Sequence, residues 1–323
     1  MMKAIVVSQY GGPEVLQLQD VEVGKPEKDQ VRVRLEATGV NFVEIYQRRG
    51  TYSKKLPYIP GSEAAGVVEA IGEEVSLFKV GDRVAYVHQS GAYAESSLVA
   101  EDSLIPLPPD FSFEQGAAFP LQGMTAHYLL HEFRKPKPGD VVLIHAAAGG
   151  MGLLLVQWAR HLGARVIGTV STEAKAQAAR EAGATDIILY TKQNFAEETQ
   201  RLTSGHGADL IIDGVGKTTF AGNLDAAARR GNIVIYGAAS GPADPILPNA
   251  LMARSLTVSG GSLYNYILTR NEMLTRAEAV IKGIQEGWLK LKIDKVIPLA
   301  QAAEAHRLLE NRQVIGKVVL KIR

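Results

Sequence analysis

The sequence predicts an α/β protein in which a doubly wound parallel sheet is inserted into a second, β-rich domain. Up to about residue 120, short β-prone runs alternate with turn signals such as Gly11-Gly12-Pro13 and Pro60-Gly61. From about residue 123 each strand is followed by a helix, a pattern typical of a parallel sheet with helices on both faces. This repeat stops near residue 264, so the tail is expected to rejoin the first domain. The predicted domains are 1–122 with 264–323, and 123–263.

The second domain has the most regular pattern. Strands are predicted over 141–145, 165–170, 186–190, 209–213, 232–236 and 256–259, and helices over 151–162, 173–182, 195–203 and 218–229. Gly163 and Gly183 stand where the first two helices should end, because glycine tolerates the left-handed backbone that often follows a helix. In the tail we expect helices over 272–287 and 303–309 and a last strand over 316–322.

The composition excludes several classes of function. The 35 lysines and arginines nearly balance the 34 aspartates and glutamates, so no basic field is expected to attract nucleic acid or an anionic membrane. The absence of cysteine excludes disulfides, thiolate catalysis and sulfur-ligated metals, and it agrees with the cytoplasmic location that we expect. Residues 141–159 carry no charge over a length that could span a bilayer. Their division into strand, glycine turn and helix indicates a buried unit instead.

The turn after the first of these strands is the most informative segment. The strand leads into Ala146-Ala147-Ala148-Gly149-Gly150-Met151-Gly152 and then into a helix. A helix N-terminus offers unpaired amides to a pyrophosphate, and Ala147, Gly149 and Gly152 fill the places of the dinucleotide-binding fingerprint. Alanine therefore replaces the first glycine. We expect a Rossmann-type cofactor site that includes Ala148, Gly149, Gly150, Met151 and Gly152.

The end of the second strand predicts which nicotinamide cofactor binds. An acidic side chain there would accept hydrogen bonds from a free adenosine 2′-hydroxyl. This chain has Ser171 at that place, and Lys175 follows one turn into the next helix. A hydroxyl and an ammonium favour a 2′-phosphate, so the expected cofactor is NADPH. The alternative interpretation is that Ser171 only caps the helix and that Lys175 is solvated.

Further cofactor contacts are expected at the other strand ends, because ligands bind outside the carboxyl ends of parallel strands. Glycine in these segments lets the backbone approach the nicotinamide closely. The candidates are Tyr190, Val215, Tyr236, Gly237, Ala238 and Ser240.

Several short motifs lie outside the glycine turn. They are Gly39-Val40-Asn41-Phe42, Tyr46, Arg49-Gly50-Thr51-Tyr52, Pro60-Gly61-Ser62-Glu63-Ala64-Ala65-Gly66, Gly81-Asp82-Arg83-Val84 and Gly91-Ala92-Tyr93-Ala94-Glu95. Together with the turn, these motifs resemble the quinone oxidoreductases, including zeta-crystallin, of the medium-chain dehydrogenase/reductase superfamily. The resemblance extends over essentially the whole chain.

The resemblance implies a GroES-like catalytic domain, a Rossmann domain, a homodimer joined through the Rossmann sheet edges, and NADPH-dependent quinone reduction. It places Asn41, Tyr46 and Tyr52 beside the substrate, as candidate catalytic residues, and Asn41 also beside the nicotinamide. Gln122, Thr125 and Lys317 are further candidate cofactor contacts, the last at the adenosine phosphate. Purely structural roles stay open, since Asn41 could bond local backbone and the tyrosines could pack with their hydroxyls outward.

The sequence predicts no metal site. Zinc-dependent relatives of the resembled family carry a Gly-His-Glu ligand motif where this chain has Gly61-Ser62-Glu63. Serine removes one ligand and no cysteine can supply the others, so Glu63 is expected to be a buried, hydrogen-bonded structural residue. His127 and His131 are four residues apart on a predicted helix, but no third ligand accompanies them.

Two other functions stay open. The same hydride geometry could reduce activated double bonds such as those of enones, and the sequence separates this poorly from quinone reduction. The chain could also bind NADPH without turnover, as the lens crystallins of the resembled family suggest. A quinone that accepts hydride becomes a stable anion, which solvent or a weak donor can protonate, so no strong general acid is required.

Overall fold

The computed structural model describes all residues, 1–323, and divides the chain into two compact units. The first unit comprises Met1–Leu121, Ile267–Ala277 and Ile293–Arg323. The second comprises Gln122–Tyr266 and Glu278–Lys292. Each unit has its own sheets and its own buried core.

One segment differs from the predicted domain boundaries. The sequence pattern assigns the whole tail from residue 264 to the first domain, whereas Glu278–Lys292 belongs to the second unit. Packing explains the difference, because Val280 lies against Gly123 and the Trp288 ring stacks on His161 at 4.0 Å. Such contacts between distant segments leave no periodic signal in the sequence.

The first unit is built on a seven-stranded sheet and a separate pair of strands. The pair is β1 (Met2–Val6) with β2 (Gln17–Val21), and the sheet contains β3 (Gln30–Val40), β4 (Glu63–Ile71), β5 (Arg83–Val87), β6 (Ser96–Ala100), β7 (Leu104–Pro106), β14 (Ile293–Pro298) and β15 (Lys317–Lys321). The sheet order is β14-β15-β3-β4-β5-β7, and β6 also pairs with β3. The last strand of the chain therefore lies beside β3, as the predicted return of the tail requires.

The long central strand β3 shows why this region forms a sheet. Val31, Val33 and Leu35 are fully buried, whereas Arg32 and Arg34 between them are partly exposed. This period of two places the apolar side chains on one face, where they pack with residues such as Tyr86. Burial of each such side chain stabilises the fold by roughly 1.5–3 kcal/mol.

Short helices connect these strands. They are α1 (Phe42–Arg48), α2 (Phe113–Ala118) and α9 (Ala302–Glu310), and α8 (Arg270–Gln285) begins in this unit. The sequence pattern does not predict α1, because seven residues are too few to establish a helical period. Its position matters, since α1 begins directly after β3 at the N-cap residue Asn41 and carries Tyr46.

A buried arginine fixes α1 against α9. Arg48 is fully buried and donates to the Gly11 carbonyl at 3.1 Å, to Glu310 at 2.5 Å and to Nδ1 of His306 at 3.1 Å. The other ring nitrogen of His306 lies 3.2 Å from the Tyr93 hydroxyl. Burial and the Arg48 charge lower the pKa of His306 to about 3. The imidazole therefore stays neutral, and its Nδ1 can accept a hydrogen bond from the guanidinium group of Arg48.

The second unit contains the doubly wound sheet. Its strands are β8 (Val141–Ile144), β9 (Arg165–Val170), β10 (Asp186–Leu189), β11 (Ala208–Asp213), β12 (Ala227–Ile235) and β13 (Thr257–Gly260), with helices α3 (Pro120–Tyr128), α4 (Gly150–His161), α5 (Glu173–Glu181), α6 (Phe195–Leu202) and α7 (Phe220–Ala226). All strands are parallel, in the order β10-β9-β8-β11-β12-β13. From β8 the chain first adds β9 and β10 on one side of the sheet and then β11, β12 and β13 on the other side. The order therefore switches between β8 and β11, and sheets of this kind bind ligands at such a point.

The predicted fold class and every predicted element of the second unit are confirmed. Gly163 and Gly183 follow α4 and α5 with φ of 89° and 107°, as expected for residues after a helix. The largest error is at the start of β12, which begins at Ala227 rather than 232 because Ala227 already pairs with Ala208 in the sheet, and α7 accordingly ends at Ala226 rather than 229. The uncharged run 141–159 forms β8, the turn and most of α4. The structure contains no helix of sufficient length and apolarity to cross a membrane.

Candidate functional site

The first turn of α4 has the features of a phosphate site. Its N-cap residue is Gly149, which makes no side-chain capping bond. In contrast, Thr172 caps α5 and Asn194 caps α6 through side-chain oxygens. The leading amides of the 12-residue helix α4 are therefore left for another acceptor, and the helix dipole favours an anion there.

The glycines of this turn are required by close packing. A Cβ at Gly152 would overlap the carbonyl oxygen of Ala146, and one at Gly168 of β9 would lie 2.8 Å from the Cβ of Ala147. Ala146 itself has a φ of 51°, in the left-handed region, so the turn holds one strained residue. Helix α4 can approach the sheet this closely only because the side chains are this small.

Gln122 lies next to this turn within the second unit, and Thr125 follows it on α3. The Gln122 carboxamide occupies the space that a Cβ on Gly150 would fill. Thr125 is buried on α3, one turn further along. The sequence names Gln122 only as a candidate cofactor contact, and the structure adds that its side chain lies against the glycine turn.

The end of β9 carries the predicted determinants of cofactor choice. Ser171 follows the strand and its carbonyl accepts a bond from the Thr191 hydroxyl at 3.1 Å. Thr172, rather than Ser171, caps α5 by accepting from the Lys175 amide at 3.3 Å. The alternative interpretation of Ser171 as the cap is therefore wrong, since that bond is already supplied by the next residue. Lys175 is half-buried on the first turn of α5.

The loops after β11 and β12 are tied together. The Ser240 amide and hydroxyl both donate to the Val215 carbonyl at 2.8 Å, and the hydroxyl also accepts from the Thr218 amide at 3.1 Å. The Tyr236 ring packs directly on Gly214, where a Cβ would meet it at 2.5 Å. The structure thus brings Val215, Tyr236, Gly237, Ala238 and Ser240 into one pair of loops at the carboxyl edge of the sheet.

A buried polar network supports these strand ends. His145, which follows β8, lies 3.0 Å from the Thr169 hydroxyl and 2.7 Å from Oδ1 of Asn223. Asn223 in turn donates to Asp213 at 2.6 Å. Burial lowers the pKa of His145, although the Asp213 charge and the Asn223 bond oppose the shift. The imidazole is therefore neutral at neutral pH, and it links β8, β9 and α7 beneath the turn.

Asp213 is the centre of this network. One carboxylate oxygen accepts from the Val215 and Gly216 amides at 2.7 and 3.1 Å, and the other accepts from Asn223 and from the Thr219 hydroxyl at 2.7 Å. The side chain is fully buried without a cation beside it. Four neutral donors thus hold the loop after β11 in one conformation.

The first unit contains a second buried cluster, which is charged. Glu63, at the start of β4, accepts from the Lys317 ammonium at 2.6 Å and from the Asn41 carboxamide at 2.8 Å. Its other oxygen accepts from the Leu121 amide at 2.7 Å. Lys317 also donates to Oδ1 of Asn41 at 2.6 Å. The expectation that Glu63 is a buried, hydrogen-bonded structural residue agrees with this geometry.

Asn41 and Lys317 therefore have partners that the sequence does not predict. Both ends of the Asn41 carboxamide are bonded inside the cluster, rather than to local backbone alone. The Lys317 side chain is 4% exposed and its charge is paired with Glu63. Its predicted role at an adenosine phosphate does not fit this placement, because a phosphate would have to compete with a buried carboxylate at 2.6 Å.

Glu44 lies beside this cluster on α1. One of its oxygens accepts from the Asn41 amide at 2.7 Å, and the other is buried without an aligned hydrogen bond, although the Ser62 hydroxyl is near. Burial raises the pKa of Glu44 to about 7, against the opposing effects of Ser62 and the Lys317 charge. The carboxyl group therefore titrates near neutral pH.

The two candidate tyrosines contact each other. The Tyr46 and Tyr52 rings meet edge to face with centroids 5.2 Å apart, and the Tyr52 amide donates to the Tyr46 carbonyl at 3.2 Å. Tyr46 is half-buried, whereas Tyr52 is 50% exposed. Together they present an aromatic surface that a flat ligand could cover.

The histidine pair of α3 has a packing role. The His127 and His131 rings stack at 4.4 Å, and both meet the edge of the Trp158 ring. Nδ1 of His131 lies 2.9 Å from the His127 carbonyl, as a bond back along the helix requires. The structure contains no group of three or more side chains with metal-ligand chemistry.

The sequence did not predict the buried polar roles of Glu44, His145 and Asn223, or that Asp213 holds the loop that follows β11. Two of these residues nevertheless leave a weak signal in the sequence. His145 interrupts an apolar run at a strand end, and Glu44 stands three residues after Asn41, as in a helix capping box. Neither signal identifies the distant partners, which only the fold supplies.

Known protein families match both parts of the chain. Residues 27–109 match the alcohol dehydrogenase GroES-like domain, and residues 150–280 match the zinc-binding dehydrogenase domain. These ranges lie mainly in the first and second units, respectively.

Curated relatives and solved structures match over the full length. A 2-haloacrylate reductase from a Burkholderia species is 43% identical, with 99% of each chain covered. A quinone oxidoreductase of Pseudomonas aeruginosa is 42% identical, also over 99% of each chain. The structure of Escherichia coli quinone oxidoreductase complexed with NADPH has a TM-score of 0.96 and 38% identity, and the match covers 99% of this chain and all of that one.

Proposed function

The chain belongs to the quinone oxidoreductase family of the medium-chain dehydrogenase/reductases, and from this premise we propose that it reduces quinones with NADPH and without a metal. NADPH, when bound, supplies a hydride from its nicotinamide ring. The observation that carries the proposal is the first turn of α4, whose amides lack a side-chain cap and whose glycines leave room for a phosphate. The quinone class is supported by the relatives named for that activity.

The cofactor residues divide by the part of NADPH that they would hold. The turn residues Ala148, Gly149, Gly150, Met151 and Gly152 would bind the pyrophosphate, with Gln122 and Thr125 beside them. Ser171 and Lys175 would bind the 2′-phosphate, since no carboxylate stands at the end of β9. The loops with Tyr190, Val215, Tyr236, Gly237, Ala238 and Ser240 would line the remainder of the site.

The first unit would supply the substrate surface. Tyr46 and Tyr52 offer aromatic faces for a quinone ring, and Asn41, the N-cap residue of the helix that carries Tyr46, would lie beside the nicotinamide or the substrate. Metal-free chemistry is supported by the donor set. Ser62 is a poor ligand, and a cation beside Glu63 would have to displace the Lys317 ammonium.

The second candidate function is reduction of an activated carbon–carbon double bond. The Burkholderia relative favours it, since its name denotes reduction of a substituted acrylate. Hydride addition to an alkene and to a quinone both place negative charge on a conjugated system, so the same site could serve either acceptor. Binding of NADPH without turnover would be the third function.

We also propose that the chain forms a homodimer and acts in the cytoplasm. Strand β13 ends the parallel sheet, so one side of its backbone is unpaired, and Met252 just before it is 73% exposed. Met252→Glu should convert a dimer to a monomer in sedimentation velocity, whereas Leu268→Glu, a 75% exposed control, should not. A monomeric wild-type protein would refute the dimer.

Fractionation of source cells tests the location.

The first experiment is a fluorescence titration with NADPH and separately with NADH, followed by addition of 1,4-benzoquinone, 9,10-phenanthrenequinone or a simple enone. Quinone-dependent loss of nicotinamide absorbance is the expected result. Faster turnover of the enone would favour the second function, and binding without turnover would favour the third. Absence of binding would remove the basis of all three.

Lys175 should control the choice between NADPH and NADH. Lys175→Ala should raise the Kd of NADPH about 10- to 100-fold, the loss expected for a charge-assisted hydrogen bond, and should leave the Kd of NADH nearly unchanged. Arg180→Ala is the matched control, because Arg180 is exposed at the other end of α5. Equal effects on both cofactors would exclude recognition of the 2′-phosphate by Lys175.

A further inference from the structure

We propose that Lys54 forms a carboxylate-binding subsite, through which the protein accepts anionic α,β-unsaturated acids as well as neutral acceptors. The inference rests on the proposed NADPH-dependent reduction and adds a substrate class to it. It is carried by four features of the first unit: an unpaired ammonium, the rigid backbone that holds it, a strained histidine beside it, and an aromatic surface on the same segment.

Lys54 is unusual among the lysines of the first unit. It is half-buried, yet no carboxylate lies within 4.0 Å of its ammonium. Lys317, the one fully buried lysine of the unit, is paired with Glu63, and the remaining lysines of the unit are exposed. A partly desolvated ammonium without a counter-ion gains from an anionic ligand, because low local polarity strengthens the attraction.

The backbone of Lys54 is held in place from both sides. The Tyr10 hydroxyl donates to the Lys54 carbonyl at 2.7 Å and accepts from the Lys54 amide at 2.9 Å. The Tyr10 ring also packs on Gly50, where an added Cβ would meet it at 3.0 Å. At the other end of the side chain, the ammonium donates to the Ser90 hydroxyl at 3.0 Å. The charge is therefore positioned in advance of binding, which lowers the entropy lost on binding.

His88 is near enough to the ammonium for the Lys54 charge to act on its imidazole. Its amide donates to the Ser62 carbonyl at 2.9 Å, and its backbone has a φ of 74°, in the region that only glycine adopts without strain. Strained residues of this kind concentrate at ligand sites. Burial and the neighbouring Lys54 charge lower the pKa of His88, so the imidazole is neutral at neutral pH. The subsite therefore carries one full positive charge, from Lys54.

An aromatic surface lies on the same stretch of chain. Tyr52, two residues before Lys54, is 50% exposed and meets the Tyr46 ring edge to face. Tyr10, which holds Lys54, is 39% exposed. A flat conjugated acid has the matching chemistry, with a π-system for the tyrosines and a carboxylate for the ammonium.

The reaction assigned to this ligand class balances with NADPH as the only reductant and with one proton from solvent. The alkene of the acid gains a hydride at Cβ from NADPH and a proton at Cα from solvent, and NADP⁺ and the saturated acid are the products. Hydride addition adds negative charge to a system that already bears a carboxylate. An ammonium at that carboxylate stabilises the added charge, which explains why an acid requires a cation that a neutral quinone does not.

The test compares one acceptor with and without its charge. We would measure kcat/KM for 2-chloroacrylate, for its methyl ester and for 1,4-benzoquinone in the wild-type protein and in Lys54→Met, Lys54→Arg and Lys55→Met. The acid-to-ester ratio should fall at least about tenfold in Lys54→Met, as expected for loss of a charge-assisted bond. It should be largely restored in Lys54→Arg and unchanged in Lys55→Met, since Lys55 is exposed on the adjacent position.

The kcat/KM values for the acid and for the ester are measured on the same preparation of each variant. Partial misfolding lowers both values by the same factor, so it does not change their ratio. A wild-type protein that reduces quinone and ester but not the acid would overturn the subsite alone. An unchanged ratio in Lys54→Met would overturn it as well. Absence of turnover with every acceptor would overturn the proposed function itself, which distinguishes the two failures.

Discussion

The two units each bury a carboxylate completely, but they stabilise it in different ways. Glu63 is neutralised by the Lys317 ammonium at 2.6 Å, whereas Asp213 accepts four bonds from uncharged donors at 2.6 to 3.1 Å. The partners of Asp213 lie two to ten residues away in the chain, whereas Lys317 is 254 residues from Glu63. One carboxylate thus fixes a single loop, and the other joins distant segments.

This difference indicates what each cluster contributes to the site. The donors around Asp213 are mainly backbone and hydroxyl groups of one loop, so the network sets the shape of the backbone against which a cofactor would lie. The Glu63 cluster instead orients a side chain, the Asn41 carboxamide, from both ends. Rigid elements beneath a site hold its groups in place before a ligand arrives.

The largest expected effect comes from removing the ammonium of the charged cluster. Lys317→Met should lower the free energy of unfolding by about 3–5 kcal/mol, because it leaves Glu63 as an unpaired buried charge. Urea unfolding monitored by circular dichroism measures the change. Lys321→Met, an exposed position on the same strand, should change it by less than about 0.5 kcal/mol.

A double variant sharpens this prediction. Glu63→Gln combined with Lys317→Met removes both charges, so much of the lost stability should return. If the double variant is as unstable as the sum of the single ones, the two side chains do not interact as a pair.

The next effect is a pH dependence of stability caused by Glu44, which lies beside the charged cluster of the first unit. Its pKa is about 7 in the folded state against 4.5 for an unperturbed glutamate, so folding favours the protonated form. The associated stability is full below pH 4.5 and is lost as the pH rises to 7. Glu44→Gln removes this loss, so its unfolding free energy relative to wild type should rise by about 3 kcal/mol between these pH values.

Urea unfolding at several pH values measures that difference. His306, whose lowered pKa gives the opposite slope below pH 6.5, is present in both proteins and cancels. A difference between variant and wild type that stays constant from pH 4.5 to 7 would show that Glu44 ionises normally.

The smallest effect is expected from the neutral network. Asp213→Asn replaces one acceptor oxygen by a donor that faces other donors, so it should destabilise the protein by about 2 kcal/mol and raise the Kd of NADPH. Asp225→Asn is the control, because Asp225 is exposed at the end of α7. A loss of unfolding free energy as large as that of Lys317→Met would contradict the distinction between the two clusters. An unchanged Kd of NADPH in Asp213→Asn would also contradict it.

The sequence predicted the second unit more accurately than the first. Each of the strands β8 to β11 is an apolar run that is followed by a helix, and turn residues such as Gly163 mark helix ends, so local signals agree with the fold. In the first unit α1 is too short to show a period, and Asn41 was predicted without its partners. The candidate cofactor residues of the glycine turn were predicted from a motif, whereas no motif indicated the buried roles of Glu44 and His145.

The sequence by itself determined the fold class, the glycine turn between β8 and α4, and the absence of a carboxylate at the end of β9, because each depends on neighbouring residues. Only the tertiary structure decided that Lys317 pairs with Glu63 rather than remaining available to a phosphate, and that Lys54 keeps an unpaired charge. The physical reason is that burial and pairing depend on which distant segments meet. A buried charge acquires its partner from the fold, and its neighbours in the chain do not specify that partner.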